Sequence, residues 1–229
     1  MSDSSAGMKT LRCRSAVKLV IFDLDGVLVD TQDAENEALV FLAHLMGLTI
    51  DPRRAQHLFS GKRLHDCIGM LVEMSGSQAP PDAVAIVRDR CETTIGSDLR
   101  PVPGVVETLD RIAPIKVVAS NSPREIIERR LAAAGIRHHF QHGIYSAYDA
   151  NAWKPDPRLF RWASADHGVA AQDCVVIEDS AVGVDAAVTA GMPVLQFSNG
   201  ERTAPHRHGV PVFTSMLALP DLINSLPVH

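Results

Sequence analysis

The chain has 229 residues, which is enough for one hydrophobic core and a small second module but excludes three large modules. Its 22 basic and 27 acidic side chains give a net charge of −5, and no segment combines basic with aromatic residues. A nucleic acid or an anionic membrane is therefore not the expected partner. The hydrophobic content of 46% is ordinary for a globular protein and excludes collagen-like and disordered classes.

Residues 1–16 are mostly polar and small, and they lack the apolar stretch of a secretory signal. We expect them to form a disordered tail. No apolar run elsewhere is long enough to span a bilayer. The four cysteines are far apart and form no C-x-x-C pair, which indicates reduced thiols rather than a disulfide framework or a zinc site. The sequence therefore predicts a cytoplasmic protein without a membrane partner.

Short apolar runs rich in Val and Ile have the length of strands rather than helices. In chain order they are residues 17–22, 115–119, 174–177 and 193–197. Helical patterns over residues 124–134, 158–167 and 180–190 lie between or after them. The first of these three has Ser122 as its expected N-cap and Pro123 as its first residue. Strands that alternate with helices in this way predict an α/β protein with a parallel sheet covered on both faces.

One segment, residues 33–98, breaks this alternation because it contains no strand-like run. Its helical periodicities cover residues 34–46, 64–74 and 81–95, and they are separated by glycine-containing turns. We therefore expect an all-helical insertion at residues 33–98. The α/β part would consist of residues 17–32 and 99–229.

Polar residues follow three of the predicted strands at the point where each strand ends. They are Asp23 and Asp25 after the first strand, Ser120 and Asn121 after the second, and Glu178 and Asp179 after the third. Ligands of open parallel sheets bind outside the carboxyl ends of the strands, so these side chains are expected to converge. Lys154, in a loop just before the helix at residues 158–167, is a fourth candidate.

Taken alone, each of these residues has a simpler interpretation. Asp25 and Gly26 could form a turn, Asp179 could cap the following helix, and Lys154 could be a solvated loop residue. An EF-hand is excluded, because Gly26 follows Asp23 by three residues instead of five. The simple interpretations do not explain why all four segments occur together in this order.

The four segments together resemble the motifs of the haloacid dehalogenase superfamily. The segment from Asp23 to Thr31 resembles its first motif, Ser120 its second, Lys154 its third and Glu178-Asp179 its fourth. A helical insertion directly after the first motif is similar to the subclass that has an α-helical cap over a Rossmann-like core. Within that subclass, residues 146–157 are most similar to the sugar-phosphate phosphatases and β-phosphoglucomutases.

The resemblance implies a phosphatase that uses Mg²⁺. Asp23, Glu178 and Asp179 offer the hard oxygen ligands that Mg²⁺ prefers, and the resemblance adds the backbone carbonyl of Asp25 and allows Glu178 to act through water. Asp23 is the expected nucleophile, which forms an aspartyl-phosphate. Asp25 would protonate the leaving oxygen and then activate water. A carbon–halogen bond needs no such proton, so Asp25 argues against dehalogenation.

Other expected contacts are to the substrate. Lys154 would contribute a charge and Ser120 a hydroxyl group to the phosphoryl oxygens, and the backbone amides of Leu24 and Asn121 would add donors. Two cap residues, Lys62 and Arg63, are further expected contacts, because they lie where the family has its substrate-specificity loop. They would contact an acidic leaving group, or they are solvated charges at a helix start. The expected substrate is a small phosphorylated metabolite, a sugar phosphate or a sugar-acid phosphate.

Two alternatives to a phosphatase stay open. A phosphomutase uses the same aspartyl-phosphate, but the hexose mutase branch has a His twelve residues after the nucleophile, where this sequence has Glu35. A non-catalytic binding protein on the same scaffold would be favoured by loss of Asp23, Asp25, Lys154 or Asp179, and all four are present. We expect the protein to be a monomer.

Overall fold

The computed structural model of the protein describes residues 17–59, 62, 64–96, 99–198 and 207–226. The predicted disordered tail, residues 1–16, and the predicted substrate contact Arg63 lie outside the described residues. The described strands are β1 (Leu19–Phe22), β2 (Ile115–Ser120), β3 (Ile144–Ser146), β4 (Cys174–Glu178), β5 (Val194–Phe197) and β6 (Val212–Phe213). They form one parallel sheet in the order β3-β2-β1-β4-β5-β6.

The centre of the sheet is β1, which pairs with β2 on one side and β4 on the other. All of its side chains are buried, because both faces of the sheet are covered. Val20 and Phe22 belong to a hydrophobic cluster on one face, and Leu19 and Ile21 belong to a cluster on the other. This two-sided burial explains why the strand is a continuous apolar run rather than an alternating one.

The four predicted strands are confirmed, with ends shifted by one or two residues. The sequence does not predict β3 and β6, which have three and two residues. Segments of this length carry too little periodicity to be told apart from loops. Neither omission changes the carboxyl ends of β1, β2 and β4, where the predicted polar residues lie.

Four helices of the described chain follow β1 directly, before residue 99. They are α1 (Gln32–Leu45), α2 (Pro52–Phe59), α3 (Leu64–Ser75) and α4 (Ala83–Ile95). Their buried side chains form a third hydrophobic cluster, distinct from the two clusters against the sheet. The sequence predicts three of them and misses α2, which buries only Ala55 and Phe59 and so has little apolar pattern. The domain limits at residues 33 and 98 stay a prediction.

The remaining helices cover the two faces of the sheet. They are α5 (Val105–Arg111), α6 (Arg124–Ala133), α7 (Ala147–Ala150), α8 (Arg158–Asp166), α9 (Ala181–Ala190) and α10 (Leu219–Ser225). Leu109 and Ile127, from α5 and α6, pack in the cluster that contains Phe22. Leu159 and Val184, from α8 and α9, pack in the cluster on the opposite face. The predicted α/β class with a parallel sheet and inserted helices is confirmed.

The start of α6 differs from its prediction. The expected N-cap was Ser122 and the expected first residue Pro123, but the helix begins at Arg124 and Pro123 occupies the cap position. The hydroxyl of Ser122 instead donates to Asp25 Oδ2 at 3.3 Å. The serine therefore belongs to the strand-end cluster and not to the helix terminus.

Among the described residues, no helix is both long enough and apolar enough to cross a membrane. Cys67, Cys91 and Cys174 are buried free thiols, as the cysteine spacing indicates, and Cys13 lies outside the described residues. The cytoplasmic location and the monomeric state stay predictions.

Candidate active site

The carboxyl ends of three strands bring the predicted polar residues to one place. Phe22 pairs with Val118 of β2 and with Ile177 of β4, so these strands are aligned at their ends. The backbone N–H of Asp23 donates to the carbonyl of Ile177 at 2.9 Å and extends this alignment by one residue. The residues that follow each strand consequently face a common cavity, the usual place for a ligand in a parallel sheet.

Lys154 reaches this edge from the loop before α8 and is only 2% exposed. Its Nζ lies 2.5 Å from Asp23 Oδ1 and 2.6 Å from Glu178 Oε1. Burial alone would lower the pKa of Lys154, but the two carboxylates raise it above its usual value, so the ammonium group stays charged. Burial also raises the pKa of Asp23 to about 8, although Lys154 opposes the rise.

Glu178 is completely buried and is fixed by the start of α9. Its Oε2 accepts hydrogen bonds from the backbone N–H of Ser180 at 3.0 Å and from the Ser180 hydroxyl at 2.9 Å. The same hydroxyl oxygen accepts from the backbone N–H of Gly183 at 3.1 Å and caps the helix. A Cβ atom at Gly183 would lie 1.8 Å from Glu178 Oε1, so glycine is needed where the helix approaches the carboxylate.

Asp179 lies beside the Glu178 carboxylate and is held by hydrogen bonds of its own. Its Oδ2 accepts a hydrogen bond from Gln32 Nε2 at 3.3 Å, and its backbone carbonyl accepts from Gln196 Nε2 at 3.2 Å. Gly26, whose φ is +83°, passes so close that a Cβ atom there would lie 2.3 Å from Asp179 Oδ2. Gly26 thus provides both a left-handed turn and the space that the carboxylate occupies.

Asp23, Glu178 and Asp179 form a group suited to a divalent cation. Each offers a carboxylate oxygen, and these oxygens lie within 4.8 Å of one another. With all three carboxylates ionised, the single ammonium group of Lys154 would leave two excess negative charges. Burial raises the pKa of Asp179 well above its usual range, and the carboxylates of Glu178 and Asp23 raise it further. The hard oxygens and the unbalanced charge fit Mg²⁺.

The side chain of Asp25 contacts a different set of partners. Its Oδ1 accepts hydrogen bonds from Arg130 Nη1 and from the Thr31 hydroxyl, the latter at 3.2 Å. Its Oδ2 accepts from the Ser122 hydroxyl at 3.3 Å. Asp25 therefore lies beside the three carboxylates that are suited to a cation. Its own carboxylate accepts hydrogen bonds from two hydroxyl groups and one guanidinium group.

A cavity of 740 Å³ lies between the sheet edge and helices α1 to α4. The predicted residues that line it are Asp23, Asp25, Lys62, Ser120, Asn121, Lys154 and Asp179. Asn121 also fixes Lys154, because its Oδ1 accepts the backbone N–H of that residue at 2.9 Å. The side chain of Leu24 is buried in the hydrophobic core, and the contact of its backbone amide with the substrate stays a prediction. A cavity of this volume has room for a small organic phosphate.

Sequence reasoning missed Arg130 and Gln32, which line this cavity, and Thr31, which is buried and hydrogen-bonds to Asp25. Arg130 had a visible signal: it lies three residues after Ile127 and one before Leu131, both buried, so a charged residue falls on the apolar side of α6. Gln32 and Thr31 had none, because a single polar residue at a helix start is an ordinary feature.

Residues 17–191 match the sequence profile of the haloacid dehalogenase-like hydrolases. The chain belongs to this family. The 6-phosphogluconate phosphatase of Escherichia coli (strain K12) is 30% identical over 210 residues, which cover 91% of this chain and 95% of that protein. The β-phosphoglucomutase of Bacillus subtilis (strain 168) is 30% identical over 196 residues, which cover 81% of this chain and 85% of that protein.

Solved structures agree with the haloacid dehalogenase-like fold. A conserved haloacid dehalogenase-like protein of unknown function from Agrobacterium tumefaciens superposes with a TM-score of 0.81 and 27% identity. The match covers 91% of this chain and 98% of that one. The resemblance deduced from the four motifs is thus confirmed, as is the expectation of an enzyme of the phosphatase kind.

Proposed function

We propose that the protein is a Mg²⁺-dependent phosphatase that hydrolyses a small sugar phosphate or sugar-acid phosphate through an aspartyl-phosphate on Asp23. One observation carries the proposal: Asp23 shares a buried ammonium partner, Lys154, with a second carboxylate at the base of a cavity of 740 Å³. A carboxylate in such a position is a nucleophile whose negative charge is offset before the phosphate arrives.

Charge repulsion is the main obstacle to this reaction. A phosphate monoester carries close to two negative charges, and each repels the Asp23 carboxylate by ~4 kcal/mol at about 4 Å in a surface-like dielectric. Lys154 lies within hydrogen-bonding distance of Asp23 and is positioned to contact the same phosphoryl oxygens. Ser120 and Asn121 follow β2 and line the same cavity, so their hydroxyl and amide groups are available to the transferred group.

The metal would be held by Asp23, Asp179 and the backbone carbonyl of Asp25, with Glu178 as a direct ligand or one that acts through water. Mg²⁺ bound there would neutralise charge on the phosphoryl oxygens. Glu178 Oε1 accepts one hydrogen bond, from Lys154, and Oε2 accepts two from Ser180, so Oε1 is the oxygen with a site left for the metal or for a bridging water.

Asp25 would move the protons of both halves of the reaction. As Asp23 attacks phosphorus and the ester bond breaks, the Asp25 carboxyl group gives its proton to the leaving alkoxide oxygen. The resulting carboxylate then takes a proton from water, whose oxygen attacks phosphorus and releases phosphate from Asp23. Asp25 ends with its proton restored, so the cycle is balanced.

The substrate class is supported by the cap side of the cavity. Lys62, His65 and Arg88 line this part, opposite the sheet edge. Lys62 and Arg88 offer positive charge to a second anionic group, such as the carboxylate of a sugar acid. The similarity to a 6-phosphogluconate phosphatase supports the same class.

A phosphomutase is the second candidate, supported by the similarity to a β-phosphoglucomutase. That branch has a His twelve residues after the nucleophile, and here the position is occupied by Glu35, which lines the cavity. Glu35 Oε1 lies 3.1 Å from the Thr31 hydroxyl, whose single proton it shares with Asp25, and it faces Arg130 at 3.9 Å. The absence of that His favours hydrolysis over return of the phosphoryl group to a sugar.

The test is a phosphate-release screen of the full chain over sugar phosphates, sugar-acid phosphates and nucleotides, each with Mg²⁺ and with EDTA. We expect release from one of the first two classes, loss of activity in EDTA and recovery with excess Mg²⁺. Activity that persists in EDTA would contradict the metal site. β-Glucose 1-phosphate serves as the control for mutase activity: glucose 6-phosphate as the main product, with little free phosphate, would favour the mutase.

A further inference from the structure

Arg130 is a buried cation at the boundary between the core and the inserted helices. It lies on α6, is 7% exposed, and faces carboxylates from three separate segments. These are Asp25 after β1, Glu35 on α1 and Glu92 on α4. Glu35 is 46% exposed, whereas Asp25 and Glu92 are each 19% exposed, so the buried guanidinium depends mainly on these two carboxylates for its partners.

The donors of Arg130 are occupied by acceptors of the chain itself. Its Nε and Nη2 donate to Glu92 Oε1 at 3.0 and 2.7 Å, and Nη2 also lies 3.7 Å from Cys91 Sγ. Its Nη1 donates to Asp25 Oδ1 and faces Glu35. All three nitrogen atoms are therefore engaged, and Arg130 is suited to hold Asp25 rather than to bind an anionic substrate.

The contact fixes the orientation of the Asp25 carboxyl group. Oδ1 accepts from Arg130 and from Thr31, whereas within the described part of the chain Oδ2 accepts the 3.3 Å hydrogen bond from Ser122. Oδ1 is thus the anchored oxygen. Oδ2 is the oxygen that can exchange a proton with the leaving group and with water.

Glu92 links this orientation to the inserted helices. It lies on α4, and besides Arg130 it accepts from Arg129 Nη2 through its other oxygen. Two neighbouring arginines of α6 thereby hold one carboxylate of α4. Two nitrogen atoms of the Arg130 guanidinium contact Glu92 and set the plane of the group. The orientation of this plane therefore depends on the position of α4 beside α6.

We propose that Arg130 is a positioning residue that holds Oδ1 of Asp25, and that Glu92 keeps Arg130 in place only while α4 lies against α6. The proposal rests on the proposed role of Asp25 as proton donor. When Asp25 gives its proton from Oδ2 to the leaving alkoxide oxygen, the carboxylate that remains faces the Arg130 guanidinium. Proton donation is then favoured when the inserted helices are closed over the cavity.

The experiment compares Arg130→Met, Arg130→Lys and Glu92→Gln with the wild-type protein and with Arg129→Met as a matched control. Arg129 is on the same helix and contacts the same carboxylate, but it does not contact Asp25. The measurement is kcat/KM for p-nitrophenyl phosphate, whose leaving group needs no proton, and for an alkyl phosphate such as the best sugar phosphate. This constant reports phosphoenzyme formation alone, provided that alcohol release is irreversible.

We expect Arg130→Met to lower kcat/KM about 100-fold for the alkyl ester and less than about tenfold for the nitrophenyl ester. The difference arises because general acid catalysis speeds the departure of a poor leaving group such as an alkoxide. For the alkyl ester, Arg130→Lys should have a kcat/KM about tenfold above that of Arg130→Met, and Glu92→Gln a kcat/KM about tenfold below that of wild type. Arg129→Met should stay within about twofold of wild type. Circular dichroism and thermal unfolding identify a variant that fails to fold. If Arg130→Met fails to fold, the two esters are compared with Arg130→Lys, which keeps the charge.

Equal losses on both esters would overturn the proposal, since a merely structural role would not depend on the leaving group. Wild-type rates in Arg130→Met, or an equal loss in Arg129→Met, would overturn it as well. A wild-type protein that releases phosphate from neither ester would instead overturn the proposed function itself.

Discussion

The two sides of the cavity are built in different ways. On the sheet side, Asp23, Lys154 and Glu178 are buried and contact one another at 2.5 and 2.6 Å. On the helical side, Lys62 and His65 are exposed, and Arg88 contacts the hydroxyl of Tyr148 across the cavity. The sheet side holds charges in a fixed arrangement, whereas the helical side offers charges that can adapt to a ligand.

This difference follows from what fixes each side chain. The three strand ends are aligned by backbone pairing, and glycines at positions 26 and 183 leave only the space that two carboxylates fill. On the helical side, Arg88 is held by a side-chain contact across the cavity, and Lys62 and His65 are exposed. We infer that the chemistry resides on the sheet side and that substrate discrimination resides on the helical side.

The largest expected effect comes from disturbing the sheet side without removing any charge. In Gly183→Ala the new Cβ would lie 1.8 Å from Glu178 Oε1, so the carboxylate must move. We expect the Mg²⁺ concentration for half-maximal activity to rise about 100-fold, the size of change seen when the support of a metal ligand is lost. A Mg²⁺ titration of the phosphatase rate measures it.

Gly69→Ala is the matched control for this substitution. Gly69 lies in α3, and a Cβ atom there would meet nothing within 4 Å. It should leave the Mg²⁺ titration unchanged and raise the free energy of unfolding by about 0.5–1 kcal/mol through helix propensity. An unchanged titration in Gly183→Ala would show that the observed position of Glu178 is not needed for the metal.

A smaller effect is expected on the helical side. Lys62→Ala should raise KM about tenfold for a sugar-acid phosphate and leave kcat within about twofold, because a cation that contacts only the leaving group contributes to binding. A sugar phosphate without the carboxylate should be unaffected. Arg53→Ala on α2 is the control, since that exposed residue does not line the cavity. An unchanged KM for the sugar-acid phosphate would assign Lys62 a solvated position, and equal KM increases for both substrates would rule out recognition of the carboxylate.

The fold and the sheet side of the site are predictable because both rest on short-range patterns. Apolar runs mark β1, β2 and β4, and Asp23, Ser120 and Glu178 stand at the positions where these runs end. The parallel arrangement then brings together residues that are far apart in the sequence. Lys154 is predictable only through its resemblance to a family motif, because a lysine before a helix has no distinctive pattern.

The rest depends on contacts between segments that a single sequence does not reveal. Arg130 reaches Asp25 and Glu92 because α6 and α4 pack together at one particular distance. The Ser122 hydroxyl donates a hydrogen bond to Asp25 and does not cap α6. This contact also depends on the tertiary arrangement, so the predicted N-cap of α6 is wrong. Tertiary contacts override the local preference in both cases.

The most direct test of the central claim is to trap the covalent intermediate. The protein is mixed with Mg²⁺ and its best substrate, quenched in acid within one turnover, digested and analysed by mass spectrometry. We expect one phosphate on the peptide that contains Asp23, on the residue itself. Asp30→Asn, at an exposed aspartate of the same loop, should give the same peptide adduct, whereas Asp23→Asn should be folded, unlabelled and inactive. Substantial turnover by Asp23→Asn, or phosphate on another residue, would contradict the account.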